Sequence, residues 1–193
     1  GAVGILTWMT QSISLMNKVG AEVTVGHSIG AQNAEEAKMF ASHNLTIGLL
    51  VSLVWGALLF VFAHPVISLY KLEPEITDMA VEYLRIDATG FPFVFLASAF
   101  TGIHNAAGLS KIPFYVSGSG LLLNMILDPL FILGFGWGTA GAAYATWLSE
   151  CAVVLLFVYQ LKVRNKLWPG FRFFVRLKST YSLKIVRIGL PVA

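Results

Sequence analysis

Asp128 and Asn124 carry the clearest chemistry in this 193-residue chain. They stand four residues apart, so a helix places them on one face. A carboxylate beside an amide oxygen is a hard-oxygen pair, suited to a proton or a small cation such as Na+. The stretch around them, Ile112 to Phe135, is otherwise apolar. Asp128 lies about 24 Å along a helix from Ile112, at about 1.5 Å per residue. That depth is inside a bilayer, toward its outer half, where an ionisable group is costly and points to function. A local reading stands beside it: Asp128-Pro129 also matches a helix cap, with Asp at N-cap and Pro at the first helical position.

Glu150 is the second acid within an apolar run. It can serve as a relay, a substrate-facing anion or a partner for a neighbouring helix. Thr146 stands one turn before it and can offer a hydroxyl oxygen, although on the bare sequence it reads as a packing residue. Lys18 and Glu22 are spaced i, i+4 and are expected to neutralise each other. Gly26 to Gly30 has the small-xxx-small spacing that lets helices approach, and Gly138, Gly141, Ala142, Ala143 and Ala145 make a second small face. His27, His43, His64 and His104 are scattered without metal-ligand spacing. His104-Asn105, near a helix end, can touch a cation pathway, with an interfacial packing role as the blander reading. The sequence has no phosphate loop, no Cys/His metal cluster and no nucleophile elbow, so it does not read as an enzyme. The lone Cys151 cannot form an internal disulfide.

The elements that must position these residues follow from composition. Hydrophobic residues make up 56% and charged residues 12%, with a mean hydropathy of +0.74. A soluble domain carries about 25% charged residues, so a soluble enzyme, a disordered tail and a disulfide-stapled domain are excluded. Apolar runs of about 20 residues read as membrane helices. Five are expected, at about 1–31, 39–70, 76–107, 111–135 and 138–161. A basic segment, 162–184, follows, and 185–193 begins a further helix. Pro92 and Pro129 fall inside spans and are candidate hinges. Gly136-Trp137 barely separates two spans, which implies an antiparallel hairpin. The chain begins at Gly1 and ends at Ala193 within apolar sequence, which reads as a piece of a longer protein without a signal peptide.

The net charge of +3 is a matter of topology. Ten of the 13 basic residues fall on one side of the expected spans: Lys38, Lys111, Lys162, Arg164, Lys166, Arg172, Arg176, Lys178, Lys184 and Arg187. The positive-inside rule assigns that side to the cytoplasm. The Trp168–Lys178 segment, with Phe171, Phe173 and Phe174 among cations, is expected on the membrane surface and not on nucleic acid.

Three stretches resemble one family. They are Gly108-Leu109-Ser110-Lys111-Ile112-Pro113, then Leu123-Asn124-Met125-Ile126-Leu127-Asp128-Pro129-Leu130-Phe131-Ile132, then Gly134 to Ala143. Val19 to Asn33 adds a fourth. Together they are similar to the multidrug and toxic compound extrusion (MATE) transporters. The glycine pattern from Gly134 opens a membrane helix without a βαβ context, so it is not a dinucleotide fingerprint. The resemblance implies an all-α membrane fold of twelve helices in two lobes. This chain would match helices two to six and the start of seven. The family's first helix, with its own acid, would lie upstream. The resemblance further implies a secondary antiporter that exports an organic, cationic small molecule in exchange for Na+ or H+, without other cofactor. It places a cation site at Asp128, Asn124 and Thr146, leaving Glu150 and Asn105 as secondary candidates. Its partners would be the substrate, membrane lipid and the remaining helices of the transporter. The alternatives are a lipid-linked-precursor flippase, which the scarcity of Lys and Arg in the spans disfavours, and a non-transporting membrane subunit.

Overall fold

The computed structural model describes residues 2–164 and 168–189. Lys166 and residues 190–193, the end of the expected sixth helix, lie outside the described residues, as does Gly1.

The described chain is helical throughout its ordered elements. In chain order these are α1 (Ala2–Gly30), α2 (Ala34–Val61), α3 (Ala63–Ser68), α4 (Pro74–Ala106), α5 (Lys111–Pro129), α6 (Gly138–Tyr159) and α7 (Ser179–Gly189), with π-helical turns at Leu130–Gly134 and Gln160–Arg164. Four helical stretches are long and apolar enough to cross a membrane: Ala34–Val61, Pro74–Ala106, Lys111–Gly134 and Gly138–Val163. The 29-residue α1 is long enough to span but more polar, with Thr10, Ser14, Asn17, Thr24 and Ser28 buried against its neighbours.

Local chemistry sets the helix ends. The Asn33 side chain caps α2 by accepting from Glu36 N–H at 3.1 Å, and Glu35 and Glu36 occupy the first turn. Carboxylates there complement the helix dipole, so α2 begins before the apolar boundary at residue 39. At its other end, α2 does not reach residue 70. Pro65 cannot donate to the Val61 carbonyl and its ring crowds that group, so α2 ends at Val61 and the separate α3 follows. Pro74 starts α4 at a position where its missing N–H costs nothing. The basic segment is also shorter than expected. It ends at Lys178, because residues 179–184 already form the first turns of α7, held where Tyr181 packs against Phe40 and His43 at 4.9 and 4.8 Å.

In lipid, tails are as apolar as leucine, so helices associate through close packing rather than through hydrophobic burial. The central helix is α4, which packs along α1, α2 and α6, whereas α5 leans mainly on α6. Two positions show how closely. Gly56 of α2 lies against the Ala88 carbonyl of α4, where a Cβ would come within 2.8 Å. Pro92 leaves that carbonyl without its usual helical donor. Gly120 of α5 faces Val153 of α6, and a Cβ would collide with the Val153 side chain. The outer face of α5 is apolar and open, with Leu121, Leu122, Met125 and Ile126 each more than half exposed. That face suits lipid contact.

The segment after α6 packs part of its aromatic face on the bundle. Trp168, Phe171 and Phe173 pack against the buried core of Phe40, Phe100, Ile103 and Phe157, while Phe174 points away. Burial alternates along the segment, with residues 171, 173 and 175 half-buried and 172, 174 and 176 exposed. Its aromatic residues are therefore divided between bundle and surroundings.

Candidate functional site

α5 runs helical through Asp128 and Pro129 into the π-helical turn at Leu130–Gly134. Asp128 is therefore an interior helical residue and not an N-cap, which removes the capping explanation for it. Asn124, one turn earlier, shares its face. The tight α5–α6 hairpin, which turns through Gly136 and Gly138 at positive φ, brings α6 alongside. This delivers Thr146 to the same place.

The Asn124 amide reaches across to α6. With its nitrogen toward α6, that nitrogen donates to the Thr146 hydroxyl oxygen over 3.5 Å, and the amide oxygen faces the Asp128 carboxylate. Rotated, the amide satisfies both ends: its nitrogen donates to Asp128 Oδ2 at 3.3 Å and its oxygen accepts from the Thr146 backbone N–H at 3.3 Å. The Thr146 hydroxyl donates to the Ala142 carbonyl at 3.1 Å, which leaves its oxygen lone pairs free to accept. Asp128 Oδ1 is buried and has no hydrogen-bond partner among the described residues. A buried carboxylate oxygen without a donor is costly. It is an open acceptor, as a proton or cation site requires.

Two acidic or phenolic residues of α4 join this region. Tyr83 and Asp87 stand one turn apart on α4, the helix that packs along α6. Neither Tyr83 nor Asp87 is among the candidates the sequence singled out. The missed signal was depth. With α4 starting at Pro74, Asp87 sits about 20 Å along the helix at about 1.5 Å per residue, and Tyr83 is one turn before it.

Asn124 and Thr146 also line a cleft of about 410 Å³ between α1, α4, α5 and α6. Its other walls include Gln11, Lys18, Ser98, Thr101, Ser149 and Glu150. Glu150 thus faces the same cleft as the Asn124–Thr146 contact. The expected Lys18–Glu22 pair does not form. Lys18 turns to the cleft, while Glu22 Oε2 accepts from Asn105 Nδ2 at 3.4 Å. Asn105 therefore ties α4 to α1 and stands apart from Asp128. His104 beside it is fully buried, with Nδ1 bonded to the Phe100 carbonyl at 2.7 Å and its ring 5.3 Å from that of Phe157. Among the described residues, the ion pair formed is Lys38–Glu35, at 2.8 Å. Pro92 and Pro129 sit within or at the end of helices that continue through them.

The bundle of long apolar helices has counterparts among known proteins. The MatE family model matches residues 1–130. The chain belongs to the MatE family. It is 30% identical over 181 residues to "Probable multidrug resistance protein YoeA" of Bacillus subtilis, covering 90% of this chain and 39% of that protein. It is also 30% identical over 193 residues to "Probable multidrug resistance protein NorM" of Thermotoga maritima, covering 96% of this chain and 41% of the relative. A crystal structure of MATE in complex with MaD5 superposes with a TM-score of 0.91 at 26% identity, over the whole of this chain and 44% of that one. The chain spans about two fifths of the length of the curated relatives it matches. The MatE membership and the long apolar helices make it a membrane protein of the multidrug efflux transporter family.

Proposed function

We propose that this MatE chain forms most of one lobe of a secondary antiporter. Residues 1–161 supply five membrane helices, the segment that follows them through Lys178 the basic connection, and α7, from Ser179, the start of the next helix. The transporter exports an organic, cationic small molecule across the cell membrane in exchange for Na+ or H+. The basic connection lies in the cytoplasm. The observation that carries this reading is the open, buried Asp128 Oδ1 beside the Asn124 amide, which donates to the other carboxylate oxygen at 3.3 Å.

The amide gives the site two arrangements. When the site is empty or Asp128 needs a donor, the Asn124 nitrogen faces the carboxylate. When a small cation sits at Asp128, the amide oxygen turns to it, and the Thr146 hydroxyl oxygen is close enough to join. Ion binding then changes how α5 is tied to α6. Because Asn124 and Thr146 also form a wall of the cleft, that change reaches the space a substrate would occupy. Exchange needs only that ion and substrate prefer different states of the lobe. Pro92 and Pro129 are the proposed bending points, and Glu150 is a secondary acid facing the cleft. The cleft pairs one lysine with one glutamate, a balance that suits an organic cation better than the pyrophosphate of a lipid-linked precursor.

Reconstituted in vesicles with imposed Na+ or pH gradients, the full transporter is expected to lose ion-driven efflux in Asp128→Asn, with insertion unchanged. Efflux at the unaltered rate in that variant would end this reading.

A further inference from the structure

Residues 171–178 are not a free loop. Three side chains on one face of α2 hold their backbone. The Ser42 hydroxyl donates to the Arg172 carbonyl. Thr46 Oγ1 accepts from Val175 N–H at 3.1 Å. His43 Nε2 accepts from Lys178 N–H at 3.1 Å, while its Nδ1 faces the Met39 carbonyl at 2.7 Å. Burial alternates along residues 171–176, with 171, 173 and 175 half-buried and 172, 174 and 176 exposed, so holding the backbone at 172, 175 and 178 fixes which residues face outward. Phe171, Phe173 and Val175 turn to the bundle. Phe173 meets Phe171 and Phe100 edge-on at 5.3 and 6.0 Å, and the Lys162 ammonium sits 4.8 Å from its ring centre. Arg172, Phe174 and Arg176 face away and are exposed.

We propose that this strap is a docking surface for anionic phospholipid headgroups, with Arg172 and Arg176 on the phosphates and Phe174 inserted between them. Its height along the bundle supports a lipid partner. The strap is pinned beside Ser42–Thr46, and the apolar run of α2 begins at the next residue, Ile47. That is where hydrocarbon gives way to headgroups. Arg172 and Arg176 stand four residues apart with Phe174 midway between them, all three exposed. Each guanidinium can grip a phosphate through two parallel hydrogen bonds, and a phenyl ring between them adds an apolar anchor. Near an anionic surface each cation strengthens attachment by about fivefold. Docking requires neither the transport reading nor a particular side of the membrane.

The test uses the chain in a Cys151→Ser background, with a spin label at Leu177→Cys beside the outward face. It is reconstituted in phosphatidylcholine vesicles with and without phosphatidylglycerol. Phosphatidylglycerol is expected to shift the label into the headgroup region. Replacing both Arg172 and Arg176 by Gln should reduce the docked-to-undocked equilibrium constant about 25-fold. Ser42→Ala with Thr46→Val should also weaken the response, although both arginines remain, because the outward register is lost. Helix content by circular dichroism confirms that each variant is folded. No shift with phosphatidylglycerol, or a shift that survives the double Gln replacement, overturns the proposal. A response unchanged by the Ser42 and Thr46 replacements overturns the pinned register. A larger response to inorganic phosphate or to a single-stranded RNA than to phosphatidylglycerol overturns the assignment to lipid.

Discussion

Two polar clusters in this chain look alike in sequence and differ in structure. Ser42, His43 and Thr46 interrupt the start of an apolar helix, as Asn124 and Asp128 interrupt the end of another. Around Ser42–Thr46 the polar side chains meet backbone groups of residues 172–178 or of their own helix. His43 is fully buried and both its ring nitrogens are engaged. Around Asp128 the Asn124 amide donates to one carboxylate oxygen at 3.3 Å, and the other has no partner among the described residues. Buried polar groups whose hydrogen bonds close within the chain hold a shape, whereas a group left open can take a ligand. The distinction separates a clasp from a site more reliably than residue type does.

The comparison yields four tests, from the largest effect to the smallest. Asp128→Asn should eliminate the stabilisation of the protein by its coupling cation. That stabilisation is about 2.7 kcal/mol at a hundredfold excess over the dissociation constant, and it is read as the shift in melting temperature on adding Na+ or lowering pH. Without the cation, the variant should melt no lower than the parent, because the removed charge had one open oxygen. His43→Leu should behave the opposite way. It leaves the Lys178 N–H without its acceptor and should cost about 1–3 kcal/mol with cation response intact, and limited proteolysis should cut faster between 171 and 178. Thr146→Val keeps the shape and removes the hydroxyl. It should weaken the cation response about fivefold, the worth of one net hydrogen bond of about 1 kcal/mol, measured by titrating the same melting shift. Asn105→Ala breaks a long 3.4 Å contact to Glu22 and should change both stability and cation response by less than about 0.5 kcal/mol. If Asn105→Ala affected the cation response as much as Thr146→Val, the site would have to extend along α1 and α4.

Much of the fold was legible because membrane helices announce themselves locally. Apolar length placed α1, α4, α5 and α6 to within a few residues, and Gly136-Trp137 gave the hairpin. The errors came at polar ends. The charged, capped first turn of α2 lies outside its apolar run, and Pro65 acts on a carbonyl four residues back. The Asp128–Asn124 pairing followed from a spacing of four. The failure of Lys18 to pair with Glu22 did not, because the same spacing only permits contact. Once Asn105 on α4 offers Glu22 a partner and the cleft receives Lys18, the local pair has no advantage.

By itself, then, the sequence determined most of the helical segments, four of the five expected spans as apolar enough to cross, and that Asn124 and Asp128 share a face. These depend on interactions within a few turns of one helix. Only the tertiary structure decided that the Asn124 amide meets Thr146, that Tyr83 and Asp87 approach the same region, and that residues 171–178 lie pinned on α2 with Arg172 and Arg176 outward. Those facts depend on which faces of distant helices can come close, as at Gly56 against Ala88 and Gly120 against Val153. Close packing between segments sets that approach, and no periodicity within one segment encodes it.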